Sequence, residues 1–427
     1  MTYLRPLTER HPEHPAAPAP PAPPAPPAPA PPAGGGAGPT RGRSPRRRLS
    51  WRYVVEGRRD LRLDLLRGFC AFAMVVDHLG GGSYLYPVTG GNSFFVSAAE
   101  GFIFLSGLLV GLIYGPRVLR EGLARVQLHL LKRAFTLYAV TLGLTFTFVG
   151  LSRLVEMPWL QDVEPLTPAL GVGILTLHHT YYLVDVMLLY TLLLAVSPLA
   201  ILLLTAGRTW AVLLFSVGLW LTYQWFPAQA LVPWVIVNND TFVVAAWQIW
   251  FFGGMVIGYH RSKIWRWLGR IPAAPAVLAL AGAAGVLIAL RLSEGAALAA
   301  VAGGPGGPGA SGASGLAALD ALFGKESARP GRLLAFAVFF PLLYLILTYA
   351  WAPFNRLFGW LLVPFGQNAL YVYAMHLFAV YLTALFLPYV PGFDRFDPNH
   401  NTPVQLVAVL VIWLLVKREV LFDVIPR

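Results

Sequence analysis

The sequence predicts an all-α integral membrane protein of about ten transmembrane helices, with both termini on the cytoplasmic side. Three observations predict it. Hydrophobic residues make up 56% of the 427-residue chain and charged residues only 12%, with a mean hydropathy of +0.61. Soluble domains carry about a quarter charged residues. Apolar segments long enough to cross a bilayer recur from residue 63 onward. The cations gather in the tail and in the short loops on one side of those segments, as cytoplasmic loops do. The net charge of +12 is therefore a topology signal, and no nucleic-acid partner is expected.

The chain divides into residues 1–57 and 58–427. The first part is predicted to be a disordered cytoplasmic tail with no cleavable signal peptide. Residues 14–37 are almost wholly Pro, Ala and Gly and have nothing to bury. Nine arginines between Arg41 and Arg62 follow, a solvated run that fixes topology and touches anionic lipid. The second part is the membrane domain. Its expected spans are 63–79, 94–115, 134–151, 181–204, 209–226, 241–260, 274–292, 332–351, 366–389 and 403–422. Each is about 17–24 residues, near the ~20 that cross ~30 Å of hydrocarbon.

Charge orients these spans. The basic loops hold Arg117, Arg120, Arg125, Lys132 and Arg133, then Arg208, then Arg261, Lys263, Arg266 and Arg270, then Arg356, and last Lys417 and Arg418. With ten spans all fall on one side, the cytoplasm. The opposite loops carry Asp162, Glu164, Asp240, Glu294, Asp394 and Asp397. Residues 166–180 are apolar but short, a re-entrant or interfacial helix. Residues 303–315 are a flexible Gly/Pro/Ser loop. Cys70 is the one cysteine, so no intrachain disulfide forms. No internal repeat of the kind that builds many transporters is evident.

Ionisable groups inside spans are costly and mark function or a packed polar bridge. The first span holds Asp64, Arg67, Asp77 and His78. At about 100° per residue, Arg67 and His78 lie within about 20° of each other and about 16 Å apart along the axis. Asp64, Arg67, Ala71, Met74 and His78 form one stripe. Asp64 with Arg67 at i, i+3 also fits a purely structural ion pair. Asp77 projects elsewhere and is a poor orienter of His78. Glu100 enters the second span at the same outer level, where a carboxylate could hold the imidazole. His178, His179, Asp185 and Asp240 gather at that level, and His376 with Gln367 and Asn368 lies in the ninth span. Polar residues in helix bundles also tie helices together, and that plain reading stands beside each of these. Arg133 and Arg125 are candidates to meet the diphosphate of a CoA donor. No metal site is expected.

The segments LRLDLLRG and AEGFIFLSGLLVGLIYG, the Arg67-to-His78 spacing, and FGQNALYVYAMHLF around His376 resemble the OpgC family. That family belongs to a wider set of type-3 and related transmembrane acyltransferases. The resemblance covers roughly residues 58–425. It implies an acyltransferase that uses cytosolic acyl-CoA as donor substrate, with no permanently bound cofactor. It implies transfer to hydroxyls of an extracytoplasmic glycan, such as osmoregulated periplasmic glucan. The acyl group it implies is succinyl, with acetyl the main rival, and the place is the bacterial inner membrane.

His78, Glu100 and Arg67 are then the expected catalytic residues. Asp64, Asp77, Arg133, His178, Asp185 and His376 are expected along the substrate or donor path. His78 would be a general base on the acceptor hydroxyl or a covalent acyl carrier. The competing class is a transporter or flippase whose buried ions form a path. A non-catalytic assembly subunit would keep the spans and tolerate loss of His78. The expected partners are acyl-CoA, the glycan and the bilayer, and a homo-oligomer is compatible with the sequence.

Overall fold

In hydrocarbon a backbone must bond to itself, which leaves the helix as the single-segment solution. Each of the ten expected spans accordingly contains a helix. The structure, a computed structural model, describes residues 51–54, 59–154, 165–239, 241–302, 321–423 and 425, all within one unit, Leu49–Arg427. The expectations for the tail before residue 51, for Asp162, Glu164 and Asp240, for the side chain of Glu294 and for the 303–315 loop lie outside them.

The helices in chain order are α1 (Leu61–Leu79), α2 (Tyr86–Thr89), α3 (Ala98–Glu121), α4 (Leu123–Leu151), α5 (Pro168–Leu175), α6 (Asp185–Thr205) and α7 (Thr209–Trp225). They continue with α8 (Val244–Tyr259), α9 (Arg261–Leu268), α10 (Ala273–Ala302), α11 (Pro330–Tyr349), α12 (Trp351–Gln367), α13 (Ala369–Phe386) and α14 (Pro398–Lys417). Among the described residues there is no sheet, only one bridge between His179 and Val237. Among the described residues, seven helices are long and apolar enough to cross a membrane: α3, α4, α6, α10, α11, α13 with the turn after it, and α14. Of the other expected spans, α1 carries four charged residues, and α7 and α8 have 17 and 16 residues. The segment expected to be re-entrant or interfacial forms the 8-residue α5, opened by the Thr167 hydroxyl, which accepts from Leu170 N–H.

One expectation needs correcting. The stretch read as an Arg356 loop is the 17-residue helix α12, joined to its neighbours by Ala350 and Asn368 alone. Asn355, Arg356, Gly359, Pro353 and Pro364 make it too polar and broken to read as a span. Its apolar residues Leu361, Leu362 and Phe365 nonetheless face the core.

Small residues set the closest helix pairs, since glycine lets backbones touch where apolar burial against lipid gives no drive. A Cβ on Gly107 would sit 1.9 Å from Phe251 O, and one on Gly111 2.0 Å from Met255 O. From the other side, a Cβ on Gly258 would sit 2.1 Å from Leu108 O. The register rises along both chains together, so α3 and α8 run parallel. Gly68 meets Leu362 and Gly366 in the same way, and His78 meets His376 further along, so α1 runs parallel to the α12–α13 pair.

The end of α1 is closed from α14. Gly80 and Gly81 take positive φ, and Cβ atoms at Gly81 and Gly82 would strike the backbone carbonyls of Arg395 and Phe396. That contact lets Asn401 Nδ2 reach Gly80 O and Gly82 O at 2.6 and 2.9 Å, and Gln405 Nε2 reach Val76 O at 3.2 Å. These amides satisfy carbonyls that a helix end leaves open. The last turn of α1, which carries His78, is thereby fixed.

Candidate active site

Two histidines meet where the last turn of α1 faces α13. His78 Nδ1 lies 2.9 Å from His376 Nε2, and the rings are 5.1 Å apart. His376 is 1% exposed, and its Nδ1 is bonded to the backbone carbonyl of Tyr373. A carbonyl oxygen only accepts, so His376 Nδ1 carries the hydrogen. In the neutral ring Nε2 then has a lone pair, which can only accept from His78 Nδ1–H. His78 is left with its own lone pair on Nε2, and nothing among the described residues bonds to that atom. The backbone of α13 thus dictates the tautomer of a ring on α1.

A seam runs back along α1 from this pair. The Tyr373 ring lies 4.6 Å from His376 and 6.1 Å from Phe102, and the Arg67 guanidinium lies 5.5 Å over Phe102. Arg67 is buried, and its Nε has no hydrogen-bond partner. It shares its surroundings with Asp64, Arg133 and Tyr190. Arg133, half-buried on α4, donates to the Tyr190 hydroxyl at 3.3 Å and to Tyr114. Arg67 and Arg133 therefore stand near one phenol, Tyr190. The ion pair that the i, i+3 spacing suggested goes elsewhere: Asp64 binds Arg59 at 2.7 Å and also meets Gln367.

Glu100 does not hold His78. It is the fourth residue of Ser97-Ala98-Ala99-Glu100, a capping box in which the carboxylate accepts from Ser97 N–H at 2.9 Å and from the Ser97 hydroxyl. Its other oxygen takes Arg332 on α11, at 2.6 Å from Nε and 2.5 Å from Nη2. The pair is 1% and 5% exposed, and it ties α3 to α11. Removing one partner of a buried pair leaves the other charge unpaired, at about 3–5 kcal/mol, whereas an apolar replacement of both is near neutral. Glu100→Gln should therefore lower the melting temperature of the detergent-purified protein sharply. Glu100→Leu with Arg332→Met should recover most of that loss. A stable Glu100→Gln protein with no activity would instead return Glu100 to the chemistry.

The remaining expected residues separate. Asp77 turns from His78, as its position on the helix required, and accepts from the Thr89 hydroxyl at 2.6 Å. Asp185 is buried at the start of α6, where it accepts from Val186 N–H, and its charge faces Tyr182, Tyr373 and Lys325. His178 is exposed, stacks on Trp234 at 4.9 Å, and bonds to Thr176, so it plays no part in the seam.

Lys325 was not read from the sequence. It stands in the segment before α11 that is pinned by Trp220, Gln224 and Trp247, which donate to the carbonyls of Ala328, Ser327 and Glu326. Its Nζ donates to Asn92 Oδ1 at 2.7 Å, and its charge bears on His78, Asp77, Asp185 and Glu100. Burial pushes the ammonium pKa below 10.5 although the carboxylates oppose it. A signal was present: Lys325, Arg329 and Arg332 are cations in a connection that the expected ten-span count puts on the outer side, where few are expected.

Fold and site define a multi-pass helical membrane protein whose first helix carries a buried arginine-to-histidine seam, closed by a second histidine. The chain belongs to the OpgC family, described as OpgC protein, which it matches over residues 59–421. Among curated proteins, none matches it.

Proposed function

We propose that this chain is a membrane O-acyltransferase that moves an acyl group from cytosolic acyl-CoA to hydroxyls of an extracytoplasmic glycan. Family membership favours osmoregulated periplasmic glucan as acceptor and succinyl as the group. The observation that carries the catalytic reading is the tautomer of His78, which leaves Nε2 as a bare base on a fixed ring. In this reading the acceptor hydroxyl gives its proton to Nε2 while its oxygen attacks the thioester carbonyl carbon. The C–S bond then breaks, the ester forms, and the proton passes to the departing CoA sulfur. His376 holds His78, and the Arg67–Arg133–Tyr190 cluster receives the donor from the other end of the seam.

The orientation belongs to the same reading. With α12 and α13 taken as one bent crossing, the chain crosses ten times, which puts both termini on one side, and the basic loops favour the cytoplasm of a bacterial inner membrane for that side. Parallel α3 with α8, and parallel α1 with α12–α13, agree with that count, since each pair is two even or two odd crossings.

Lys325 supplies positive charge for the oxyanion of the tetrahedral intermediate. Lys325→Ala should lower kcat about 10²-fold, the scale of one lost oxyanion donor. The ammonium is the active form and burial depresses its pKa, so rising pH discharges it before an ordinary lysine. Activity should fall on that alkaline limb, and Lys325→Arg, which stays charged, should move the limb upward. An unchanged pH profile in Lys325→Ala would remove this role.

The whole reading is tested by mass spectrometry of periplasmic glucans from cells with and without the protein. A fixed mass increment on the glucans, present only with the protein, is expected, and its size names the acyl group. Identical glucans from both strains would overturn the assignment.

A further inference from the structure

A groove separate from the seam opens between α1, α3, α8, α9 and α11, with a volume of about 700 Å³. None of Arg67, His78, Arg133 or His376 lines it. Its walls are apolar, with Leu108, Ile249, Leu333, Phe336 and Phe340, and its polar groups gather about Tyr344, whose hydroxyl meets Asp60, whose ring lies 4.4 Å from Arg62 and whose surroundings include Arg261. Along α11 it runs from Leu333 to Tyr344. That is about 16 Å at 1.5 Å per residue. A hydrocarbon core is ~30 Å thick, so the groove has the depth of one leaflet.

The polar end is cationic. Arg59, Arg62 and Arg261 line it there with Asp60, and Asp64 stands behind Arg59, so three cations face two carboxylates. Asp60 is already satisfied by Arg62 at 2.8 Å and by the Tyr344 hydroxyl at 3.1 Å. Arg59 is paired with Asp64 at 2.7 Å but remains 60% exposed, and Arg261 forms no ion pair among the described residues, which leaves the end one cation in excess. A second observation comes from α9, which has no buried residue and alternates Arg261, Lys263 and Arg266 with Trp265 and Trp267. Basic residues interleaved with tryptophan mark a helix lying at an anionic membrane surface.

We propose that this groove holds one acyl chain of an anionic phospholipid, whose phosphate sits against Arg261 and Arg59. The charge at the mouth selects the head group, and the one-leaflet depth selects the chain. The proposal is independent of the acyltransferase reading, because it uses no residue of the seam.

Gly253 offers a clean test. It lines the groove, and a Cβ there would meet nothing within 4 Å. Gly253→Phe should therefore plug the groove without disturbing a packed contact. The full chain is reconstituted in vesicles of mixed phosphatidylglycerol and phosphatidylcholine, extracted, and examined by native mass spectrometry. The wild type should retain phosphatidylglycerol in preference to phosphatidylcholine, and Gly253→Phe should retain neither. Arg261→Glu lies on the surface and leaves packing untouched. It should keep a bound lipid but lose roughly fivefold or more in head-group preference.

Equal phosphatidylglycerol retention by wild type and Gly253→Phe would overturn the proposal. Displacement by inorganic phosphate would overturn it as well, showing an anion site without a chain. Retained acyl-CoA in place of lipid, lost in Gly253→Phe, would reassign the groove to the donor. If Gly253→Phe does not insert, the head-group preference of Arg261→Glu decides: an unchanged preference sinks the idea. Glucan acylation is not the readout, so failure here leaves the proposed function standing, and the reverse holds too.

Discussion

His78→Ala should reduce glucan acylation by about 10²–10⁴-fold, the contribution of a positioned general base. It should leave insertion and melting temperature near those of the wild type. The ring is only half-buried, and the end of α1 is held by Asn401, Gln405 and Arg395 rather than by the imidazole. Acyl-CoA affinity should also persist, since Arg67 and Arg133 lie elsewhere along the seam. The measurement is glucan acylation by mass spectrometry beside acyl-CoA binding to purified protein. A variant that acylates glucans at the wild-type rate would end the catalytic assignment. The same protein separates base from carrier. Labelled acyl-CoA without acceptor should leave no acyl group on His78 if the ring acts as a base. A covalent carrier would trap one there.

How much of this site the sequence disclosed depends on whether a residue acts within one helix or between two. The stripe from Asp64 to His78 follows from helical period alone, and α1 carries it as expected. His376 could be named from its segment, but its pairing with His78 depends on how α13 passes α1. That passage depends on Gly68 and Gly366, whose closeness no one-dimensional pattern states.

Height in the membrane points Glu100 at His78, whereas local chemistry points it at its own helix start. Ser97-Ala98-Ala99-Glu100 already announced a capping box, and a carboxylate spent on a cap and on Arg332 has little left for an imidazole. Helix α12 does not read as a span because uninterrupted apolarity marks one, and Pro353, Arg356 and Pro364 interrupt it. Lys325 is hidden for the opposite reason: a cation in a connecting loop reads as a mark of sidedness, and its burial beside Asp77 and Asp185 follows only from the fold.

His376→Ala should be the second severe loss, and His376→Asn should recover much of it. In the proposed reaction His376 touches no reacting atom and acts by positioning, its Nε2 receiving His78 Nδ1–H. Without an acceptor the His78 ring is free to turn or to place its hydrogen on Nε2, and either change removes the base. Loss of the group that fixes a catalytic histidine's tautomer can reach ~10⁴-fold in kcat. An asparagine amide presents both an acceptor oxygen toward His78 and N–H groups toward the Tyr373 carbonyl. Alanine would also leave a void in the α1–α13 contact, and that loss of packing must be told apart from loss of orientation. His376→Leu fills the void and restores no acceptor. If orientation is what matters, Leu should behave like Ala in kcat and like the wild type in melting temperature, with the KM for acyl-CoA unchanged in both. Recovery of kcat by Leu would mean that His376 merely packs, and that the bare Nε2 of His78 is held by something else.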